Sequence, residues 1–66
     1  MSVAKIIEIS SESDTSFEDA IREGIRRASK TVKNIKGAWL ADQLVDVEND
    51  RIVKFRVHLK VTFVLD

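Results

Sequence analysis

The last part of the chain places the strongest constraint on its fold. From Val53 to Leu65, apolar and polar side chains alternate: the odd positions are valine, phenylalanine or leucine, and most of the even positions are basic or polar. This period of two is typical of a β-strand with one apolar and one polar face. A strand of this length predicts a sheet, and other parts of the protein must cover its apolar face.

Two earlier segments supply a further strand and a helix. Val3–Ser10 is rich in β-branched residues and is followed by a polar cluster, which predicts a strand and then a loop. After the loop, apolar residues recur at steps of three and four, which predicts an amphipathic helix. This apolar stripe consists of Phe17, Ala20, Ile21, Gly24, Ile25, Ala28, Val32 and Ile35.

Signals at both ends set the predicted limits of the helix. Thr15 with Glu18 forms one possible capping box, and Ser16 with Asp19 forms another one residue later. Gly37 is predicted to end the helix in the left-handed conformation that glycine adopts easily.

The remaining segment, Trp39–Glu48, is predicted to pair with the last strand in an antiparallel hairpin. A three-residue turn, Asn49-Asp50-Arg51, makes both faces of the hairpin consistent, because directly paired residues share a face. The predicted pairs are Val47–Val53, Val45–Phe55, Ala41–Leu59 and Trp39–Val61 on the apolar face, with Asp46–Lys54 and Asp42–His58 on the polar face.

These elements predict one α+β domain, residues 1–66, with the order strand, helix, strand, strand. A helix of about 19 residues would span about 28 Å, whereas a final strand of about 14 residues would extend about 45 Å. The apolar end of that strand, around Phe63 and Leu65, would remain uncovered. Cysteine is absent, so disulfides cannot compensate for a small core. We therefore expect the chain to associate with copies of itself.

Composition argues against several classes of function. Lys plus Arg equals Asp plus Glu at 11 each, so the basic excess typical of nucleic-acid binders is missing. No apolar run approaches the roughly 20 residues of a membrane span. The N-terminus lacks the pattern of a signal peptide, so a cytoplasmic, membrane-free protein is expected.

The sequence contains no catalytic motif. With two glycines it cannot form a glycine-rich phosphate loop, and with one histidine it cannot form a His-rich metal site within one chain. The polar face of the last strand carries a basic row, which is either an anion site or a solvated face neutralised across the hairpin. The row consists of Lys54, Arg56, His58 and Lys60, and its acidic neighbours would be Asp42, Asp46 and Glu48. His58 opposite Asp42 would form a cross-strand ion pair.

Two side chains of the second hairpin strand are candidates for ligand binding. Trp39 could stack on a planar aromatic ligand, or it could be a core or oligomer contact opposite Val61. Gln43 is predicted among apolar neighbours, where its amide would need a partner. Asp42 and Asp46 are weak candidates for calcium, since the spacing of an EF-hand is absent.

The order of elements and two stretches of sequence, 26–35 (RRASKTVKNI) and 55–65 (FRVHLKVTFVL), resemble the dodecin family. The resemblance covers essentially the whole chain. It implies a three-stranded antiparallel sheet wrapped around one long helix. It also implies a hollow sphere of twelve copies that binds flavins in pairs, and in some members coenzyme A, for storage rather than turnover.

The resemblance also suggests roles for individual residues. Aligned without gaps, Gly37 takes the place of the tryptophan that stacks on flavin, and Trp39 reaches that place only with a two-residue insertion. Arg56 replaces a glutamine that hydrogen-bonds the flavin. Thr31 matches a position near the flavin phosphate or ribityl chain, and Asp66 keeps an acidic residue at the end.

These differences leave three hypotheses about the ligand. The first is a flavin, with FMN preferred over riboflavin because of the positive charge at Arg56, or coenzyme A. The second is calcium, because 37–43 (GAWLADQ) also resembles a divergent calcium-binding type of dodecin. The third is a structural assembly with no dedicated ligand.

Overall fold

The computed structural model of the protein describes residues 2–65. Its elements are β1 (Val3–Ser13), α1 (Phe17–Ala28), β2 (Ile35–Glu48) and β3 (Arg51–Leu65). The three strands form one antiparallel sheet in the order β1-β3-β2. The predicted α+β fold and its β-α-β-β order are therefore confirmed, with the alternating strand β3 at the centre of the sheet.

The core lies between β3 and α1. Val57, Leu59 and Val61 of β3 are almost fully buried and pack with Ala20 of α1. Complete burial of such aliphatic side chains contributes about 1.5–3 kcal/mol each. The helix contacts chiefly β1 and β3, so much of β2 has no helix above it.

The helix begins at the second of the two predicted caps. Ser16 is the N-cap, and its hydroxyl accepts a hydrogen bond from the Asp19 amide at 3.0 Å. The Asp19 carboxylate accepts a hydrogen bond of 2.6 Å from the Ser13 hydroxyl. The last residue of β1 is thereby tied to the first turn of α1.

The predicted end of the helix is wrong. The helix stops at Ala28. In the turn that follows, Ser29 Oγ donates to Arg26 O at 2.7 Å, and Thr31 Oγ1 donates to Ala28 O at 3.2 Å. The left-handed conformation predicted for Gly37 occurs instead at Asn34, which has a φ of 64°. Gly37 lies in β2 and does not have a positive φ.

The prediction that β3 is uncovered around Phe63 and Leu65 is wrong for Phe63. Phe63 is 9% exposed, because the segment after α1 turns back along β3 and pairs Ile35 with Phe63. The Val64 amide donates to Asn34 O at 3.1 Å in the same region. Leu65 does remain exposed. The exposed large apolar residues are Val3, Ile6, Trp39, Leu40, Leu44, Val47, Ile52, Val53 and Leu65.

The hairpin turn has two residues rather than three. Asn49 and Asp50 have φ of 52° and 65°, which is the signature of a type I′ turn. Glu48 therefore pairs with Arg51, and Val47 pairs with Ile52 rather than with Val53.

Irregularities in the register then restore some predicted pairs and displace others. A shift between Asp46 and Val47 brings β2 and β3 into the predicted register. The pairs Asp46–Lys54, Val45–Phe55 and Asp42–His58 are confirmed. A second shift, between Leu40 and Asp42, places Leu40 opposite Leu59 and Trp39 opposite Lys60. The predicted pairs Ala41–Leu59 and Trp39–Val61 are therefore wrong.

Candidate ligand-binding face

The sheet face opposite α1, here called the outer face, collects most of the polar candidates. It consists of even-numbered residues of β3 and the residues that pair with them, because paired residues share a face. From β3 come Lys54, Arg56, His58, Lys60 and Thr62; from β1 come Ile6, Glu8, Ser10 and Glu12; and from β2 come Gly37, Trp39, Asp42, Leu44 and Asp46.

Two members of the basic row are neutralised from both neighbouring strands. Arg56 lies 2.9 Å from Asp46 of β2 and 3.4 Å from Glu12 of β1. Lys54 lies 3.2 Å from Glu12 and 3.6 Å from Asp14. The hydrogen bond with Glu12 raises the pKa of Lys54 above its usual value. For these two residues the structure favours the neutralised face over an anion site.

His58 has a different partner from the one predicted. Its Nε2 lies 3.1 Å from Glu8 Oε2 of β1. Asp42 is in register with His58 but forms no ion pair with it. Sequence reasoning missed Glu8 and Glu12, although their spacing within a strand places them on one face and matches the period of the basic row.

Lys60 is paired with an aromatic ring instead of a carboxylate. Its Nζ lies 4.9 Å from the centroid of the Trp39 ring, a cation–π contact. Within residues 2–65 it forms no ion pair. Trp39 is 64% exposed on the outer face, so its prediction as a core residue opposite Val61 is wrong for the isolated chain.

The surface beside Trp39 is open. Gly37 lies two residues earlier in β2 and is paired with Thr62. A Cβ added at Gly37 would meet nothing within 4 Å. The outer face therefore has unoccupied room next to its only tryptophan.

The other predicted ligand residues lie away from this surface. Thr31 is in the turn after α1, and Gln43 is paired with the buried Val57 on the face that the helix occupies. Gln43 is nevertheless exposed, since α1 does not extend over β2, so its amide is not enclosed among apolar groups as predicted. Asp66 lies outside the described residues. The candidates that share the outer face are Gly37, Trp39, Asp42, Asp46, Arg56 and His58.

The weak metal candidates do not form a metal site within one chain. The Asp46 carboxylate is held by Arg56 at 2.9 Å, whereas Asp42 forms no ion pair within residues 2–65. In the described part of the chain, no three His, Cys, Asp or Glu side chains are grouped so that they could hold a metal ion. A calcium site would therefore need ligands from backbone groups or from more than one copy.

A groove of about 500 Å³ separates β1 from α1 and is lined in part by Glu12, Glu23 and Arg27. Hydrogen bonds from Arg26 and Arg27 lower the pKa of Glu23 from 4.5 to about 2. Both acids of this groove are thus already paired, Glu23 with bases of the helix and Glu12 with bases of β3, which leaves the outer face as the better candidate.

No helix within residues 2–65 is long and apolar enough to cross a membrane.

Comparison with known proteins identifies the class that this fold and face define. The model of the Dodecin family matches residues 3–66. The chain belongs to the dodecin family.

Individual relatives are similar over nearly the whole length. The calcium dodecin of Mycobacterium tuberculosis is 36% identical over 63 residues, which is 96% of this chain and 89% of the relative. Its crystal structure, which contains a calcium-binding site, superposes with a TM-score of 0.83 at 33% identity and covers 97% of this chain and 91% of that one. The dodecin from Streptomyces davaonensis superposes with a TM-score of 0.93 at 29% identity, covering 98% of this chain and 96% of that one.

Proposed function

We propose that this chain is the subunit of a hollow homododecamer that binds a small ligand and performs no catalysis, in the cytoplasm. The observation that carries the proposal is the set of apolar side chains along β2 and the hairpin that the rest of residues 2–65 leaves exposed. Membership of the dodecin family supports the same conclusion.

The physical argument rests on what such exposure costs. Val47 and Ile52 are 58% and 53% exposed and pair with each other near the hairpin turn. Removing apolar surface from water gains about 25 cal/mol per Å². Exposed apolar side chains of this kind, on a chain too small for a large core, are stabilised when other copies cover them.

Light scattering and native mass spectrometry on pure protein test the assembly. We expect a mass of twelve chains at micromolar concentration. A monomer or plain dimer would contradict the proposal.

For the ligand, the first candidate is a flavin such as FMN or riboflavin, or coenzyme A. It is supported by the exposed Trp39 on the outer face and by the open backbone at Gly37. Arg56 forms ion pairs with Asp46 and Glu12, so its charge does not favour FMN over riboflavin. The preference for FMN now rests on Lys60, which lacks a carboxylate within residues 2–65.

The second candidate ligand is calcium. It is supported by the similarity to calcium dodecin and by the Asp42 carboxylate, which forms no ion pair within residues 2–65. An oxygen-rich site between copies would suit this ion.

Titrations of the assembled protein separate the candidates. Quenching of the fluorescence of FMN by the protein, abolished in Trp39→Leu, supports a flavin. A rise in melting temperature with calcium but not with magnesium, lost in Asp42→Asn, supports calcium. An assembly that responds to neither is a structural shell without either ligand.

A further inference from the structure

The equality of acids and bases describes the whole chain, but the charges are unevenly distributed along it. Residues 23–36, from the last turns of α1 to the start of β2, carry five bases and one acid, a net charge of +4. This stretch reaches the end of the sheet where Ile35 pairs with Phe63. Five of the balancing acids lie toward the opposite end, around the start of α1 and the hairpin turn: Asp14, Glu18, Asp19, Glu48 and Asp50. The protein therefore has one basic end.

Three lysines recur at every third position of the basic stretch. Lys30, Lys33 and Lys36, here called the lysine strip, are all exposed. Val32 and Ile35 lie between them in the sequence and are partly buried, and Ile35 packs against the core. The cations of the strip thus lie on the surface, while the apolar residues that alternate with them belong to the interior.

The lysine strip has no acidic partner of its own. None of its three members forms an ion pair within residues 2–65. The neighbouring Arg26 and Arg27 share the single carboxylate of Glu23, at 2.6 and 3.0 Å. An anion that reaches the strip therefore does not have to displace an ion pair formed within residues 2–65.

The backbone of the strip is held at both of its ends. The Lys30 amide donates to Arg27 O at 3.1 Å, and the Val32 amide donates to Ala28 O at 3.0 Å, which joins the strip to α1. At the other end, Asn34 O accepts the amide proton of Val64 at 3.1 Å, which joins it to β3. Because this backbone is already ordered, a ligand does not have to order it on binding.

The spacing of the strip suits a polymer of regularly spaced charges. The backbone from Lys30 to Lys36 spans at most about 20 Å. Double-stranded nucleic acid carries one negative charge per about 1.7 Å of its axis, so about twelve phosphates lie within that length. A membrane surface is a poorer partner, because segments that bind membranes also insert apolar side chains, whereas Val32 and Ile35 are partly buried in their own chain.

From these observations we propose that the lysine strip binds the phosphate backbone of double-stranded nucleic acid. This interaction goes beyond the proposed shell and its small ligand, and it uses a different surface of the chain. Contacts with phosphates fix the position of a protein on a duplex but carry no sequence information, so binding is independent of sequence. In an assembly every copy presents the same strip, and several strips can contact one duplex.

Fluorescence anisotropy with labelled duplex DNA tests the interaction. Two duplexes of about 20 base pairs with unrelated sequences should bind equally well. Affinity should fall steeply between about 50 and 200 mM salt, since bound counterions are released from the phosphates. Three phosphate contacts predict a slope of log K against log salt of about −2.7, or steeper where more than one copy contacts the duplex.

Variants assign the binding to the lysine strip. Lys33→Gln should weaken binding to both duplexes and reduce the magnitude of the salt slope by about 1 or more. Arg22→Gln removes a cation that is already paired with Glu18 at 2.6 Å and is the matched control. The triple variant Lys30→Gln, Lys33→Gln, Lys36→Gln should lose binding, and circular dichroism confirms that each variant is folded. Absence of binding by the wild type at low salt, or equal effects of Lys33→Gln and Arg22→Gln, would overturn the proposal.

Chemical acetylation of lysines in the assembled protein gives an independent check. Mass spectrometry of peptides should show that the lysine strip reacts readily and that the duplex protects it. A strip that is unreactive without DNA is covered by another copy, and this result would overturn the proposal. Binding to vesicles of anionic lipid but not to the duplex would also overturn it. Native mass spectrometry of the same samples keeps the two proposals apart: a dodecamer that does not bind the duplex contradicts only the strip, and a monomer that binds it contradicts only the shell.

Discussion

At the scale of single residues, the hydroxyl of Ser16 decides where α1 begins. It accepts the amide proton of Asp19 at 3.0 Å, which satisfies one of the helix donors that have no partner within the helix. Thr15 lies one residue earlier, and its amide donates to Ser13 Oγ at 2.9 Å. Both residues carry hydroxyls suited to capping, so the sequence alone does not decide which of them is the N-cap.

We predict that Ser16→Ala lowers the free energy of unfolding by about 1 kcal/mol, because the Asp19 amide loses its acceptor. Thr15→Ala removes a similar hydroxyl outside the cap and should change stability by less than about 0.5 kcal/mol. Thermal unfolding followed by circular dichroism compares the two. A larger loss for Thr15→Ala would mean that the cap is assigned to the wrong residue.

Lys60 and Arg56 show why a row of similar charges on one strand does not have uniform properties. Arg56 has acidic partners on both neighbouring strands, whereas Lys60 contacts an indole ring. The difference arises from the second register shift, which moves Trp39 opposite Lys60. The chemistry of each cation is therefore set by the register.

At the scale of elements, α1 carries an acid shared by two bases. Glu23 Oε1 lies 2.6 Å from Arg26 and 3.0 Å from Arg27, and these hydrogen bonds, that from Arg26 first, lower the pKa of Glu23 to about 2. A carboxylate with a lowered pKa in the folded state stabilises that state above its ordinary pKa of 4.5. This contribution is lost as the pH falls from 4.5 to about 2.

We predict that Glu23→Gln lowers the melting temperature at pH 7 and that the difference from the wild type shrinks between pH 4.5 and 2. The effect should be modest, because the pair is solvated. Glu18→Gln, which removes the exposed pair with Arg22, is the matched control for loss of one helix carboxylate. A difference that persists unchanged at pH 2 would contradict the assignment.

The hairpin turn gives a second prediction for an element. Asp50 has a φ of 65°, which a β-branched residue adopts only with strain of about 1–2 kcal/mol. Asp50→Val should therefore destabilise the protein by about this amount, and Asp50→Gly should raise the melting temperature, since Asn-Gly is the preferred sequence for a type I′ turn. If both variants melt like the wild type, the turn is not the one described.

The sequence predicts best what depends on local patterns and less well what depends on contacts between elements. Alternation in β3 correctly identified the buried residues Val57, Leu59 and Val61. The apolar stripe of the helix extended to Ile35, but that residue is used by the sheet, where it pairs with Phe63.

The same limit applies to the candidate site. The placement of Arg56 and His58 on one face follows from period two, whereas that of Trp39, and of Gly37 two residues earlier, depends on a register shift for which no residue in the segment gives a signal. Glu8 and Glu12 can contact the basic row only because β3 lies between β1 and β2. The pairing of β2 with β3 in a hairpin does not determine that order.

At the scale of the whole molecule, the chain is long and thin. Its principal extents are 51, 19 and 13 Å, and the sheet is longer than the helix of 12 residues, which spans about 18 Å. A core below about 70–80 residues rarely supplies more than 3–5 kcal/mol. Assembly is therefore the main source of further stability that we expect for this shape.

We predict that Val47→Asp weakens assembly, whereas Lys33→Asp does not. Val47 is 58% exposed in the single chain, so an aspartate there is tolerated by the monomer but costs several kcal/mol when another copy covers it. Lys33 is also exposed, in the segment after α1, and provides the matched control. Phe63→Asp is not a clean test of assembly, because Phe63 is buried within its own chain.

Native mass spectrometry at falling protein concentration measures both variants. We expect Val47→Asp to dissociate at higher concentrations than Lys33→Asp and the wild type. Identical dissociation of all three would show that the hairpin surface is not an interface.

The central place of β3 has a consequence for how the protein is made. Ribosomes synthesise β1 and β2 before β3, yet in the finished sheet each of these two strands is bonded to β3 and not to the other. While β3 is still inside the exit tunnel, the emerged segments have no strand to join, and only α1 can form its local hydrogen bonds. The sheet is therefore completed after translation of this region, when β3 pairs with both strands and closes the core.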